Sequence, residues 1–136
     1  LWEEEIGPPT IHPMDREGFQ RWLDAYVAAW QSYDGEAIGA LFSDDAEYRY
    51  HPWDEALRGR EEIVSSWLAD KDEPGSWTAK YHVYAVDGDR AVGVGTSRYL
   101  SEGTVEREFH NVFLCRFDSD SRCRSFTEIY ALRQGG

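Results

Sequence analysis

Glu128 stands between Phe126 and Tyr130 at the two-residue spacing of one strand face. A carboxyl group set among aromatic rings can act as a general acid or base, because burial pushes its proton affinity up and a nearby guanidinium pulls it down. In the run Val105 to Phe117 the odd positions carry Phe109, Phe113 and Phe117, so Arg107, Asn111 and Cys115 share that aromatic face. Tyr26 and Trp30 lie four residues apart, on one side of a helix. Tyr50 and His51 directly precede Pro52; His51 could shuttle a proton near neutral pH, or stand idle as an exposed turn residue. His82, in Lys80-Tyr81-His82-Val83-Tyr84, has aromatic residues of either parity around it, so it could take either face. These groups point to proton transfer without a cofactor. The four histidines lack the spacing of metal ligands, Gly93-Val94-Gly95 falls inside a strand rather than between a strand and a helix, and there is no Gly-x-Ser-x-Gly elbow.

The elements that position these residues follow from periodicity. Phe19, Trp22, Leu23, Tyr26, Trp30 and Tyr33 recur every three or four residues, which predicts an amphipathic helix over Asp15–Ser32 with an aromatic stripe. Asp34 is placed to cap a short second helix through Phe42, and Gly59 opens a third in which Ile63, Trp67 and Leu68 share a face. Ala46–Tyr50 reads as a short strand stopped by His51-Pro52. Four strands near 77–86, 91–100, 105–117 and 123–132 are separated by Asp87-Gly88-Asp89, Glu102-Gly103 and an Asp/Ser loop, the pattern of antiparallel hairpins. Helices followed by a meander predict an α+β domain whose sheet curls around the aromatic stripe. Residues 1–14, with Gly7-Pro8-Pro9 and His12-Pro13, read as an N-terminal arm, and residues 15–136 as one domain.

The chain has 136 residues, enough for one core, and a formal net charge of −12. An acidic body repels phosphate backbones and anionic lipid surfaces, so neither nucleic acid nor membrane is an expected partner. No apolar run is long enough to span a bilayer and the start is acidic, which leads to a cytoplasmic expectation. If Phe117 pairs with Arg122, Cys115 and Cys123 fall on opposite faces and remain free thiols.

Three segments, Tyr26-Val27-Ala28-Ala29-Trp30, Ala40 to Ala46 and Gly59-Arg60-Glu61-Glu62-Ile63, together with Arg116-Phe117-Asp118 and Arg124 to Glu128, resemble the nuclear transport factor 2-like superfamily, its SnoaL-like and ketosteroid isomerase-like members included. The likeness covers roughly residues 15–133 and implies a cone: a curved antiparallel sheet wrapped around three N-terminal helices, of the cystatin-like type, paired into a homodimer through the convex face of the sheet. Tyr26 matches the tyrosine that donates to the enolate oxygen in ketosteroid isomerases. Their aspartate base falls at Tyr50, or at His51 if the following proline is aligned. Their second, protonated aspartate matches Phe113, so conventional steroid isomerisation is not expected. Tyr50 and His82 also resemble positions of scytalone dehydratase, and Glu128 resembles the acid of SnoaL-like cyclases.

The resemblance further places Phe126, Tyr130 and Val94 on the pocket wall, which turns Glu128, Thr96 and Arg98 inward. From this, Glu128 is expected to pair with Arg98 or Arg107, since a buried charge needs a partner. Glu128, His51 and Tyr50 form the expected catalytic set. Tyr26, Trp30, Arg98, Asn111, His82, Phe113, Phe126 and Tyr130 form the expected substrate-binding set. Two functions compete: a lyase, isomerase or cyclase acting on a small apolar or aromatic molecule, or a non-catalytic ligand-binding or dimerisation module. His110, with Val112 and Leu114, belongs to the convex, dimer-forming side.

Overall fold

A computed structural model describes residues 14–134. The arm expected over residues 1–14 lies outside the described residues except for Met14, which is buried and donates its backbone N–H to Gly88 O at 3.0 Å. Helix α1 (Arg16–Ser32) starts where the Asp15 carboxylate accepts from Gly18 N at 2.6 Å and ends at Tyr33, which adopts the left-handed conformation and returns its N–H to Ala29 O. Its stripe buries Phe19, Trp22, Leu23, Tyr26 and Ala29. Asp34 caps α2 (Gly35–Gly39), which is shorter than periodicity predicts. The chain leaves the helix early because Leu41 O accepts from Cys123 N at 2.9 Å, tying it to the sheet.

Strand β1 (Phe42–Arg49) therefore begins four residues before the expected start. A two-residue strand, β2 (Leu57–Arg58), precedes α3 (Arg60–Ala69). In α3 Ile63 and Trp67 are buried, but Leu68 is 36% exposed and does not share their face. Four long strands follow: β3 (Trp77–Asp87), β4 (Arg90–Ser101), β5 (Thr104–Phe117) and β6 (Cys123–Leu132).

They form one curved, unclosed six-stranded sheet in the order β2-β1-β6-β5-β4-β3. The meander β3 to β6 is antiparallel as expected, and β1 joins it parallel to β6. The helices close the concave side, and α1 packs mainly against β3. This is an α+β cone of the kind the resemblance implies, with a mixed rather than wholly antiparallel sheet.

One strand runs at the opposite parity to that expected. Gly93 and Gly95, not Val94, face the concave side: a Cβ on Gly93 would stand 3.1 Å from Leu23 of α1, and one on Gly95 would stand 2.0 Å from Lys80 O and 2.7 Å from the Tyr81 ring. The missing side chains let α1 and Tyr81 come down onto the sheet. Ser97 and Tyr99 consequently face inward, while Val94, Thr96 and Arg98 lie on the convex face opposite Val112, His110 and Glu108. The cysteine pairing also differs. Phe117 pairs with Cys123 and Cys115 with Phe126 across a bulge, so β6 spends three residues where β5 spends two. Both thiols enter the core, free rather than bridged.

Candidate functional site

The curved sheet and the helices enclose a cavity of about 470 Å³. Its deep polar centre is built by three strands in sequence. Ser97 Oγ of β4 donates to Asn111 Oδ1 at 2.9 Å, which fixes the amide so that its Nδ2 donates to Glu128 Oε2 on β6 at 2.8 Å. Ser97 and Asn111 are both buried, and no ion pair among the described residues reaches Glu128. Burial dominates its titration and pushes the carboxyl up to about 7, while the Asn111 hydrogen bond and the positive charge of His51 pull the other way. At neutral pH it can therefore both hold and release a proton.

Tyrosines surround this centre. The Tyr26 and Tyr48 hydroxyls stand 3.5 Å apart, and Tyr26 stacks on Phe126 as Tyr48 does. Burial raises both phenols well above their ordinary value, and the Glu128 charge raises them further, so both stay protonated donors. Tyr50, at the end of β1, shares a hydrogen bond of 2.9 Å with Ser66 of α3. Trp67 of α3 also lines the cavity; its Nε1 is fully buried beside the Tyr48 hydroxyl without meeting it in good hydrogen-bond geometry.

Two clusters form the mouth. On one side His51 Nδ1 lies 2.9 Å from Asp54 Oδ2 and Nε2 lies 3.0 Å from the Tyr130 hydroxyl. A ring protonated at Nδ1 alone donates there to Asp54 and accepts from Tyr130 at Nε2; a ring protonated at both nitrogens donates to both. On the other side Trp30 Nε1 donates to Asp72 Oδ2 at 3.0 Å, and Tyr33 brings its hydroxyl to within 3.4 Å of the same oxygen. Trp30 is itself stacked on Trp77 with centroids 3.5 Å apart.

The expected site residues divide accordingly. Glu128, Tyr50, His51, Tyr26, Trp30, Asn111 and Tyr130 line one cavity. Phe113 and Phe126 do not line it; they are fully buried beneath it, packed on Tyr26 and on each other. Arg98 and His82 are on the wrong side of the sheet, as the glycine parity of β4 requires. Arg98 Nε binds Glu108 at 2.8 Å, and His82 is exposed on a convex groove with Val94, Thr96 and His110. Arg107 lies with its guanidinium 4.8 Å from the Tyr99 ring centroid, so Glu128 pairs with neither arginine. Sequence reasoning missed Tyr48, Tyr81, Ser97, Tyr99 and Asp72. Tyr48 alternates with Tyr50 on a strand that was legible, but Asp72 follows a helix end in a polar loop and carries no periodic signal.

Among the described residues no group of three His, Cys, Asp or Glu side chains is placed to hold a metal ion. No helix among them is long and apolar enough to cross a membrane.

Comparison with known proteins gives the SnoaL-like domain over residues 23–126. Among solved structures, a nuclear transport factor 2-like protein of unknown function from Burkholderia xenovorans LB400 superposes with a TM-score of 0.68 at 17% identity over 90% of both chains. A candidate ketosteroid isomerase from Kribbella flavida DSM 17836 superposes with a TM-score of 0.63 at 15% identity, covering 90% of this chain and 84% of the other. At such identities the likeness concerns the fold. A search of curated proteins produced no match.

Proposed function

Because the chain belongs to the SnoaL-like domain family, we propose that its cavity binds a small, partly aromatic carbonyl compound and moves a proton on it, with Glu128 as the general base and then acid. The observation that carries this reading is a buried carboxyl group tethered only to a neutral amide and pushed up to about 7. In the proposed step the C–H bond beside the carbonyl breaks, its proton goes to a Glu128 oxygen, and its electron pair passes through the new carbon–carbon double bond to the carbonyl oxygen. The Tyr26 and Tyr48 hydroxyls are the donors available to that oxyanion. Return of the proton to another carbon completes an isomerisation or closure; loss of a β-substituent completes a lyase reaction. Tyr50 and the Asp54–His51–Tyr130 chain are placed to bind substrate and exchange protons with solvent at the mouth.

The test is exchange of the α-protons of aryl ketones in heavy water, followed by NMR, for wild type and Glu128→Gln. Wild type should exchange them and the variant should lose about 10²- to 10⁴-fold. Exchange at the same rate in both proteins would sink the reading. Binding without exchange in either would leave a ligand-binding module.

We further propose a homodimer through the convex face, where Leu114 and Ile129 are 43% and 39% exposed beside Val112 and Val94. A sedimentation velocity series showing only monomer at micromolar concentration would refute it. The free thiols Cys115 and Cys123 support a reducing, cytoplasmic setting.

A further inference from the structure

We propose that Tyr81 is a positioning residue for Glu128, acting at two removes: a one-way ladder of hydrogen bonds from Tyr81 through Ser97 and Asn111 occupies Glu128 Oε2 and leaves Oε1 as the oxygen that carries the mobile proton. The inference rests on reading Glu128 as the acid–base group and adds which of its atoms reacts and what holds it. The sheet sets the rungs. Tyr81 of β3 stands opposite Gly95 of β4, and Gly95 opposite Asn111 of β5. Ser97 is the next inward residue of β4, and Glu128 of β6 lies opposite Phe113, the next inward residue of β5. Each rung therefore crosses to a neighbouring strand and steps two residues along it. Gly95 makes the first rung possible, since a Cβ there would stand 2.7 Å from the Tyr81 ring. With no Cβ in the way the ring packs over Gly95, and its hydroxyl lies beside Ser97.

The direction of the ladder follows from the protons its members hold. Burial raises the Tyr81 phenol well above its ordinary value, so it stays protonated. Ser97 spends its one hydroxyl hydrogen on Asn111 Oδ1 at 2.9 Å and has lone pairs left for the phenol. With its oxygen so occupied, the amide turns Nδ2 to Glu128 and donates to Oε2 at 2.8 Å. Tyr81, Ser97 and Asn111 are all buried, so bulk water does not compete for these bonds. Oε1, by contrast, takes no hydrogen bond from the described residues, yet it is not sealed: among them the fully buried side-chain nitrogen or oxygen without a partner is Trp67 Nε1. Glu128 lines the cavity, so Oε1 is the oxygen it shows to a ligand. The groups tied to Glu128 by charge are His51 and, besides Tyr81, the phenols of Tyr26, Tyr48, Tyr50 and Tyr99, while Asp70 and Asp72 line the same cavity. Substitutions in the ladder leave all of these in place, so their charges cancel when variants are compared.

The experiment follows Glu128 itself, by NMR of the full chain carrying carbon-13 at the glutamate side-chain carboxyl, with the signal assigned by its loss in Glu128→Gln; no substrate is needed. Tyr81→Phe keeps the ring and removes the first donor. The wild-type midpoint of about 7 should rise in this variant by about 0.2 pH unit, the scale of cooperative strengthening along a chain of hydrogen bonds, and Ser97→Ala should raise it further. Tyr99→Phe, which removes a cavity phenol outside the ladder, should leave it in place. Added to Ser97→Ala, Tyr81→Phe should have no further effect, because its influence passes through Ser97. The Asn111 side-chain amide should keep one proton displaced downfield both below and above the midpoint, since Oε2 accepts it in either state. An unmoved midpoint in Tyr81→Phe, an equal movement in Tyr99→Phe, or a Tyr81→Phe effect that persists beside Ser97→Ala overturns the proposal. So does loss of the amide displacement below the midpoint, which would put the proton on Oε2. Failure of the acid–base reading appears separately: an intact ladder in a protein that exchanges no α-protons refutes that reading and upholds this one.

Discussion

Replacing Glu128 by Gln should stabilise the protein at pH 8 and do progressively less as the pH is lowered to 4.5. The carboxyl has an ordinary value of 4.5, which we take for the unfolded chain, and burial raises it to about 7 in the fold. Between these values the folded protein keeps a proton that the unfolded chain has released, so wild-type stability falls as pH rises through this window. Below 4.5 the group is protonated in both states and costs nothing; above 7 it is ionised in both, and the burial cost is felt in full. At about 1.4 kcal/mol for each tenfold change in proton affinity, the difference comes to about 3 kcal/mol, and access of solvent through the mouth trims this to about 2 kcal/mol. Glutamine retains an acceptor for Asn111 Nδ2, so any remaining packing difference is an offset independent of pH. The assay is urea unfolding of both proteins at half-unit steps from pH 4 to 8.5, plotted as the difference in free energy against pH, which removes every titration the two share. A sigmoid with its upper plateau beyond pH 7 is expected, in the variant's favour. A flat difference, or one whose slope has the opposite sign, refutes the claim that Glu128 is desolvated and without a cationic partner.

Other perturbations test neighbouring parts of the site. Asn111→Leu removes the hydrogen bond that holds the Glu128 value down, so the rising limb of any pH–rate profile should move to higher pH, with Ser97→Ala moving it less. Gly95→Ala should destabilise the fold by about 3 kcal/mol or more, read by thermal melting, because its Cβ would meet the Lys80 carbonyl as well as the Tyr81 ring. Tyr48→Phe should leave stability within about 1 kcal/mol while slowing α-proton exchange about tenfold or more. Arg98→Gln should leave that exchange unchanged, since the side chain is held by Glu108 on the convex face.

The helical stripe and the meander were legible because each rests on one repeating signal: aromatic residues every three or four positions from Phe19 to Tyr33, and turn residues between runs of strand-forming side chains. Asn111 and Glu128 were legible for the same reason, each standing on an unbroken alternation with Phe113 or Phe126. Arg98 was expected inside because the resemblance put Val94 on the pocket wall, and the aromatic residues of both parities around His82 left its face open. Gly93 and Gly95 face inward instead, so that Leu23 and Tyr81 can approach. That decision is made by residues some 14 and 70 positions away, and no local pattern records it. The cysteine register was misjudged by one residue for a comparable reason, a bulge between Arg116 and Phe117 that has no sequence mark of its own. Asp72 was missed because it sits in a loop after α3 and meets Trp30 and Tyr33, at the end of α1, only through the fold.

The corrected parity changes the chemistry as well as the geometry. Had Arg98 faced inward beside Glu128, its guanidinium would have held the carboxyl low, and a buried ion pair would have stapled β4 to β6 without leaving a base. The arginine is instead spent on Glu108, together with Arg133 and His110, on the far side of the sheet. Inside, Gly95 leaves room for the Tyr81 ring at the very position facing Asn111, and among the described residues the wall around Glu128 holds rings, hydroxyls and one amide but no Lys or Arg. A carboxyl group in such a wall holds its proton loosely near neutral pH, and His51 is the described residue whose positive charge reaches it. The same two inward glycines that obscure the site in the sequence therefore help to keep Glu128 free to act.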